Sequence, residues 1–185
     1  MIVLSTNIGD KKEIDWKGKK VTTGIFKYPT DEGIFLNVEE VKGDTICDRE
    51  HHGGVDQAVY AYSVKHYDYF KELHPDLDWE LGMFGENLTL TDIEETEIHV
   101  GDTFELGEVV IEATKARFPC MKLGVRFNNM KIVKQFWNTT KCGVYFKVLK
   151  TGVVKKGDEF KLLKSDTSQP TIADLYINKR TKKFS

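Results

Sequence analysis

What most constrains this chain is a succession of short β-prone segments cut off by Gly and Asp turns. Ile2–Ser5, Val21–Lys27, Leu36–Val41, Val59–Tyr62, Asn87–Leu90, Val109–Thr114 and Val144–Leu149 are rich in β-branched or aromatic residues. Strands at this frequency predict a mainly β sandwich or barrel. The hexapeptide Gly101-Asp102-Thr103-Phe104-Glu105-Leu106 returns as Gly157-Asp158-Glu159-Phe160-Lys161-Leu162. In both, a Gly-Asp turn feeds a strand with apolar residues at alternate positions, as expected of two similar hairpins facing one core; chance likeness between turns is the alternative.

Two segments depart from the period of two. Ser63–His74 spaces Val64, Tyr67, Phe70 and Leu73 three apart, behind a Ser63 cap and ahead of Pro75, which predicts a helix. Asn129–Asn138 stacks Ile132, Val133, Phe136 and Trp137 before Gly143. Both stripes read as core-packing faces. After Leu163 the run Lys164–Gln169 reads as a linker, Thr171–Tyr176 as a short capped helix, and Lys179–Lys183 as a solvated basic tail.

With 185 residues, 40% of them hydrophobic and 11% aromatic, the chain has enough apolar material for one sizeable core. A net charge of −2 argues against a protein that coats nucleic acid through its overall field. The first apolar run is four residues long with no basic segment ahead of it, so neither a signal peptide nor a membrane span is expected. Cys47, Cys120 and Cys142 are odd in number and far apart. They form no disulfide framework, zinc pair or iron–sulfur spacing, and the expected compartment is the reducing cytoplasm.

Phosphate-loop, GxGxxG, HExxH and GxSxG fingerprints are absent from the sequence. Three clusters stand out instead: Asp48–Tyr60, which contains His51-His52-Gly53-Gly54; Gly82–Leu88; and Arg117-Phe118-Pro119-Cys120. Adjacent His51 and His52 face opposite ways on an extended backbone, so at most one enters a pocket. Gly53-Gly54 can expose backbone N–H groups to an anion, with Arg49 nearby, or can simply make a polar turn. Glu86 and Asn87 can orient a heterocycle or hold their own turn. Cys120 follows a rigid Pro and lies between Arg117 and Lys122 in sequence, a setting that favours thiolate; a small buried hydrophobe is the other reading. Cys47 and Cys142 lack such surroundings and read as structural.

The ordered set His51-His52-Gly53-Gly54-x-Asp56-x-Ala58-Val59-Tyr60-Ala61-Tyr62-Ser63, Phe84-Gly85-Glu86-Asn87-Leu88, Gly101-Asp102 and Arg117-x-Pro119-Cys120 resembles the MOSC domain, named for the C-terminal domain of molybdenum cofactor sulfurases. The likeness runs from residue 1 to about residue 163 and looks greatest to bacterial stand-alone MOSC proteins that reduce N-hydroxylated bases such as 6-hydroxylaminopurine. It implies a closed β-barrel-like fold with a few short helices over 1–163. Residues 164–185 would then be a linker, a helix over Thr171–Asn178 and a basic tail, the remnant of a C-terminal helical extension. It also implies a molybdenum cofactor of the pterin type, with Cys120 as catalytic residue and protein ligand to molybdenum. His52, Gly53, Gly54, Asn87 and Arg117 would line the cofactor pocket.

The implied chemistry is a two-electron reduction of an N–O bond. The chain has no nicotinamide, flavin or iron–sulfur fingerprint, so the expected partners are an N-hydroxylated small molecule and an external electron-donor protein, which the basic tail is a candidate to steer. Pyridoxal phosphate, nucleic acid and membrane are not expected. A non-catalytic cofactor carrier, or a sulfur-transfer module working through Cys120, is the alternative function. Zinc held by Cys120 and His52 lacks ligand spacing.

Overall fold

The computed structural model describes residues 1–45, 47 and 53–184. Its strands, in chain order, are β1 (Val3–Gly9), β2 (Lys12–Trp16), β3 (Lys19–Thr23), β4 (Lys27–Thr30) and β5 (Ile34–Leu36), then β6 (Val59–Ser63) and β7 (Leu88–Leu90). They continue with β8 (Thr103–Leu106), β9 (Val109–Ala116), β10 (Val144–Lys150), β11 (Gly152–Val154) and β12 (Phe160–Lys164). Four helices, α1 (Val64–Leu73), α2 (Met121–Arg126), α3 (Lys131–Trp137) and α4 (Ile172–Phe184), sit among them.

Eight strands form one sheet in the order β12-β8-β9-β10-β6-β7-β1-β4, and β2–β3 and β5–β11 are separate two-stranded pairs. Every neighbouring pair in the large sheet is antiparallel except β6–β7. A parallel pair needs a long crossover. That crossover is α1 and the loop after it, which ends in Phe84-Gly85-Glu86-Asn87 and delivers Asn87 to the start of β7 beside Tyr60. The topology, not the local sequence, therefore joins two of the three clusters.

The expected closed barrel is corrected to an open, curled sheet whose end strands are β12 and β4. The first residues approach β12: Val3 N donates to Asp158 O at 3.0 Å, Phe160 N to Met1 O at 2.9 Å, and Ile2 bridges Glu159. Closure requires a continuous ladder along the seam. Here β1 carries an irregularity between Val3 and Ser5 and turns away to pair with β7 and β4, leaving the seam stitched at one end only.

The hexapeptide repeat proves to be two neighbouring strands. β8 and β12 pair with Phe104 opposite Leu162 and Leu106 opposite Phe160. The Phe104 and Phe160 rings lie 4.8 Å apart in the core, whereas Leu162 is exposed. In α1 the Ser63 hydroxyl accepts from Lys65 N, as its capping role predicts, but the buried stripe is His66, Tyr67 and Phe70, and Leu73 faces solvent. Two expected strands are shortened. Val21–Lys27 divides between β3 and β4, and of Leu36–Val41 only Leu36 lies in a strand, with Val41 forming a bridge back to it.

The C-terminal segment is docked. Thr171 and Asp174 cap α4 reciprocally, with Asp174 N donating to Thr171 Oγ1 and Thr171 N to Asp174 Oδ2. Tyr176 is fully buried and its hydroxyl donates to Phe136 O at 2.9 Å. Lys179–Lys183, read from sequence as a solvated tail, is the continuation of this helix. Among the described residues, no helix is long and apolar enough to cross a membrane.

Candidate functional site

β6, β9, α2, the Phe84–Asn87 loop and the segment from Thr23 to Cys47 converge on a cleft. Cys120, at the N-cap of α2, and Arg117, just past β9, enter it from one side. Arg117 is 6% exposed, with its guanidinium 5.1 Å from the centre of the Phe136 ring and 5.8 Å from that of Tyr60. Aromatic faces stabilise a cation but leave its N–H groups free to bond elsewhere. Burial opposes the Arg117 charge, and the combined attraction of Tyr60, Tyr145, Cys120 and Tyr62 outweighs it, raising its pKa above the usual guanidinium value. Its Nη1 is buried and has no hydrogen-bond partner among the described residues. A guanidinium nitrogen left so costs free energy that an anionic ligand would recover.

A second charged group faces the same space. Lys27, at the start of β4, pairs with Asp44, and both side chains are buried. Desolvation lowers the Lys27 pKa despite the attraction of Asp44. Asp44 also accepts from Gly9 N at 2.9 Å and from Asn87 Nδ2 at 2.8 Å. Asn87 lines the cleft, but its amide is engaged by the protein: Oδ1 accepts from Tyr60 N at 3.2 Å while Nδ2 holds Asp44. Its structural task is to register β7 against β6 and to aim the Asp44 carboxylate.

The neighbouring Glu86 holds its own turn. It accepts from Gly82 N, Phe84 N, Thr89 Oγ1 and the Tyr67 hydroxyl. Desolvation nevertheless raises its pKa above the ordinary carboxylate value. Of the two readings of this motif, the turn-holding one describes Glu86. Gly85, at φ +80°, passes Ile25 so closely that an added Cβ would lie 3.1 Å from its side chain.

Gly53, Asn87, Arg117 and Cys120 therefore share one cleft. Gly54 sits beyond its lining, at the start of the 3-10 turn Val55–Gln57, where its carbonyl accepts from Gln57 N. His52, with His51 and Arg49, lies outside the described residues. Cys47, read from the sequence as structural, is a half-buried thiol that lines the cleft with Cys120, because the loop after Val41 folds back over β1. Cys142 is buried, and burial pushes its pKa well above the ordinary thiol value. Sequence reasoning missed Lys27, Asp44 and Tyr145. Lys27 stands between two aromatic residues and Asp44 before a Thr, contexts common to exposed strands and turns.

The family model of the MOSC domain matches residues 48–161. This chain belongs to the MOSC domain family. It is 37% identical over 163 residues to YflK of Bacillus subtilis (strain 168), a match covering 87% of this chain and 72% of that protein. It is 36% identical over 149 residues to a reductase of Gibberella moniliformis (strain M3125 / FGSC 7600), covering 79% of this chain but 26% of that longer protein. Among solved structures, this MOSC protein superposes on YiiM from Geobacillus stearothermophilus with a TM-score of 0.80 and 27% identity, covering 100% of this chain and 86% of that one.

Proposed function

We propose that the cleft holds a pterin–molybdenum cofactor with the Cys120 thiolate as its protein ligand, and that the protein is an oxidoreductase of N-hydroxylated bases such as 6-hydroxylaminopurine. A buried Arg117 Nη1, without a hydrogen-bond partner among the described residues and in the same cleft as Cys120, carries this reading. The residues fit the group: pterin cofactors carry phosphate, for which a guanidinium offers paired donors, and molybdenum accepts a soft thiolate. When bound, the cofactor supplies a centre that takes an oxygen atom from an N–O bond as it cycles through two electrons.

The protein's own contribution is binding and orientation. Arg117 would hold the anionic end of the cofactor against the aromatic faces of Tyr60 and Phe136. The backbone at Gly53 allows close approach, and Asn87 keeps Asp44 and Lys27 in the wall of the cleft. The overall reaction converts R–NH–OH, two electrons and two protons into R–NH2 and water. A separate electron-donor protein would supply the electrons, since the chain shows no nicotinamide, flavin or iron–sulfur fingerprint.

The test is to purify the protein from a host that makes the cofactor, then measure molybdenum, pterin fluorescence and turnover of 6-hydroxylaminopurine. Wild type should contain both components and reduce the base with reduced viologen but not with NADPH alone. Cys120→Ala should fold and lose molybdenum and turnover, while Cys142→Ala keeps both. Full activity in Cys120→Ala would overturn the reading; a persulfide on Cys120 without any reductase activity would replace it with sulfur transfer.

A further inference from the structure

Beside the first cleft lies a second, larger one of about 770 Å³, and the two share Gln57, Cys120, Lys122 and Tyr145 in their walls. Five lysines line it: Lys115 from β9, Lys122 from α2, and Lys179, Lys182 and Lys183 from α4. Among the described lining residues none is Asp or Glu, although Lys115 reaches out to Asp56 at 3.1 Å. Spacings of three and four along α4 stack its lysines on one stripe. The docking of Tyr176 against Phe136 fixes that stripe next to the thiol. The inner wall is apolar and aromatic, with Phe118 and Trp137 stacked at 5.7 Å.

This combination selects for a particular kind of molecule. A cleft of this size falls within the ~300–1,000 Å³ of small-molecule sites. An aromatic wall takes a planar heterocycle, and a lysine cluster takes an anion. The charges also differ in kind from Arg117. A buried guanidinium suits a group held through many turnovers, whereas the exposed ammonium groups of Lys115, Lys179, Lys182 and Lys183, screened by salt, suit a ligand that must leave each time.

We propose that the second cleft binds the phosphomonoester of a nucleotide-level substrate, so that the N-hydroxylated base is presented to Cys120 as its 5′-monophosphate. The substrate assignment rests on the reductase reading above, while the phosphate site stands on the lysine cleft itself.

Two measurements test it on the cofactor-loaded protein. The first compares kcat/KM for 6-hydroxylaminopurine as the riboside 5′-monophosphate and as the riboside. The monophosphate should be favoured by about tenfold at low ionic strength, or about 1.4 kcal/mol. The preference should shrink with added salt and collapse toward unity in Lys179→Glu/Lys182→Glu. The second measures equilibrium binding of adenosine 5′-monophosphate, which has no N–O bond to reduce, with thermal melting to check the fold of each variant. Binding should weaken by about tenfold in the double variant.

Equal kcat/KM for riboside and monophosphate, with no nucleotide binding, overturns the inference while leaving base reduction standing. Nucleotide binding that the double variant weakens, in a protein that reduces no N-hydroxylated base, upholds the phosphate site and removes the reductase reading. Loss of pterin from the double variant with nucleotide binding unchanged assigns the lysines to the cofactor and overturns the inference. Salt-sensitive binding of polyglutamate without nucleotide binding makes the cleft a docking face for an acidic protein, which also overturns it.

Discussion

Replacing Asp44 by Asn tests how the cleft wall is held together. Asp44 and Lys27 are buried as a pair, and the carboxylate also accepts from Gly9 N and Asn87 Nδ2. The amide introduced by Asp44→Asn would keep one carbonyl oxygen for Gly9 N but would offer Lys27 no charge, leaving a buried ammonium without its paired carboxylate and with only the more distant attraction of Glu86. Breaking one side of a buried pair costs about 3–5 kcal/mol, more than the pair itself contributes over an apolar substitute. For a chain of this size that lowers Tm by roughly 6–20 °C.

Adding Lys27→Met to Asp44→Asn removes the stranded charge, and should recover at least ~2 kcal/mol although two original side chains are now lost. The pH response carries the same signature. Desolvation holds the folded Lys27 pKa below its ordinary value of 10.5. The unfolded chain therefore binds the extra proton between the folded and the unfolded pKa, and stability rises with pH through that alkaline window. In Asp44→Asn the largest attraction that opposed desolvation is gone and only that of Glu86 remains, so the window widens and the total rise across it grows. Urea unfolding of wild type, both single variants and the double variant across this range is the assay. A double variant no more stable than Asp44→Asn, or a cost below ~1 kcal/mol in Asp44→Asn, would refute an energetically coupled buried pair.

Arg117→Gln should leave a folded protein that retains less than about a tenth of its pterin, because a neutral amide cannot replace paired, charge-assisted bonds to phosphate; pterin per folded protein is the readout. Phe84 is fully buried, with its ring 4.4 Å from Tyr62 and 4.9 Å from Tyr67, so Phe84→Ala should cost about 3–5 kcal/mol in urea unfolding and loosen the floor under Asn87. Gly143 adopts φ +71°, and an added Cβ would lie 2.6 Å from both Ala61 O and the Tyr60 ring. Gly143→Ala should therefore lower Tm and displace the Tyr60 ring, seen as a changed near-ultraviolet circular dichroism spectrum, whereas Gly157→Ala, with open space at its Cβ, should perturb only its own turn.

The sequence by itself determined the mainly β character, the capped helix after Ser63, the kinship with MOSC domains and the nearness of Cys120 to Arg117, because each rests on local periodicity, capping chemistry or a contiguous motif. Arg117-x-Pro119-Cys120 puts cation and thiol within four residues, so almost any backbone path keeps them near one another. Tertiary structure alone decided the rest. Whether β12 meets β4 depends on strand curvature and on an irregularity between Val3 and Ser5, and period-two alternation reports neither. Lys27, Asp44 and Cys47 enter the cleft because β4 lies at the far edge of the sheet and the loop after Val41 folds back toward it, contacts made across dozens of residues. The Lys-rich end of the chain looks in sequence like any solvated tail. Its place beside Cys120 is set by Tyr176, buried where α4 meets Phe136, and burial is decided by what packs against a residue rather than by its neighbours in the chain.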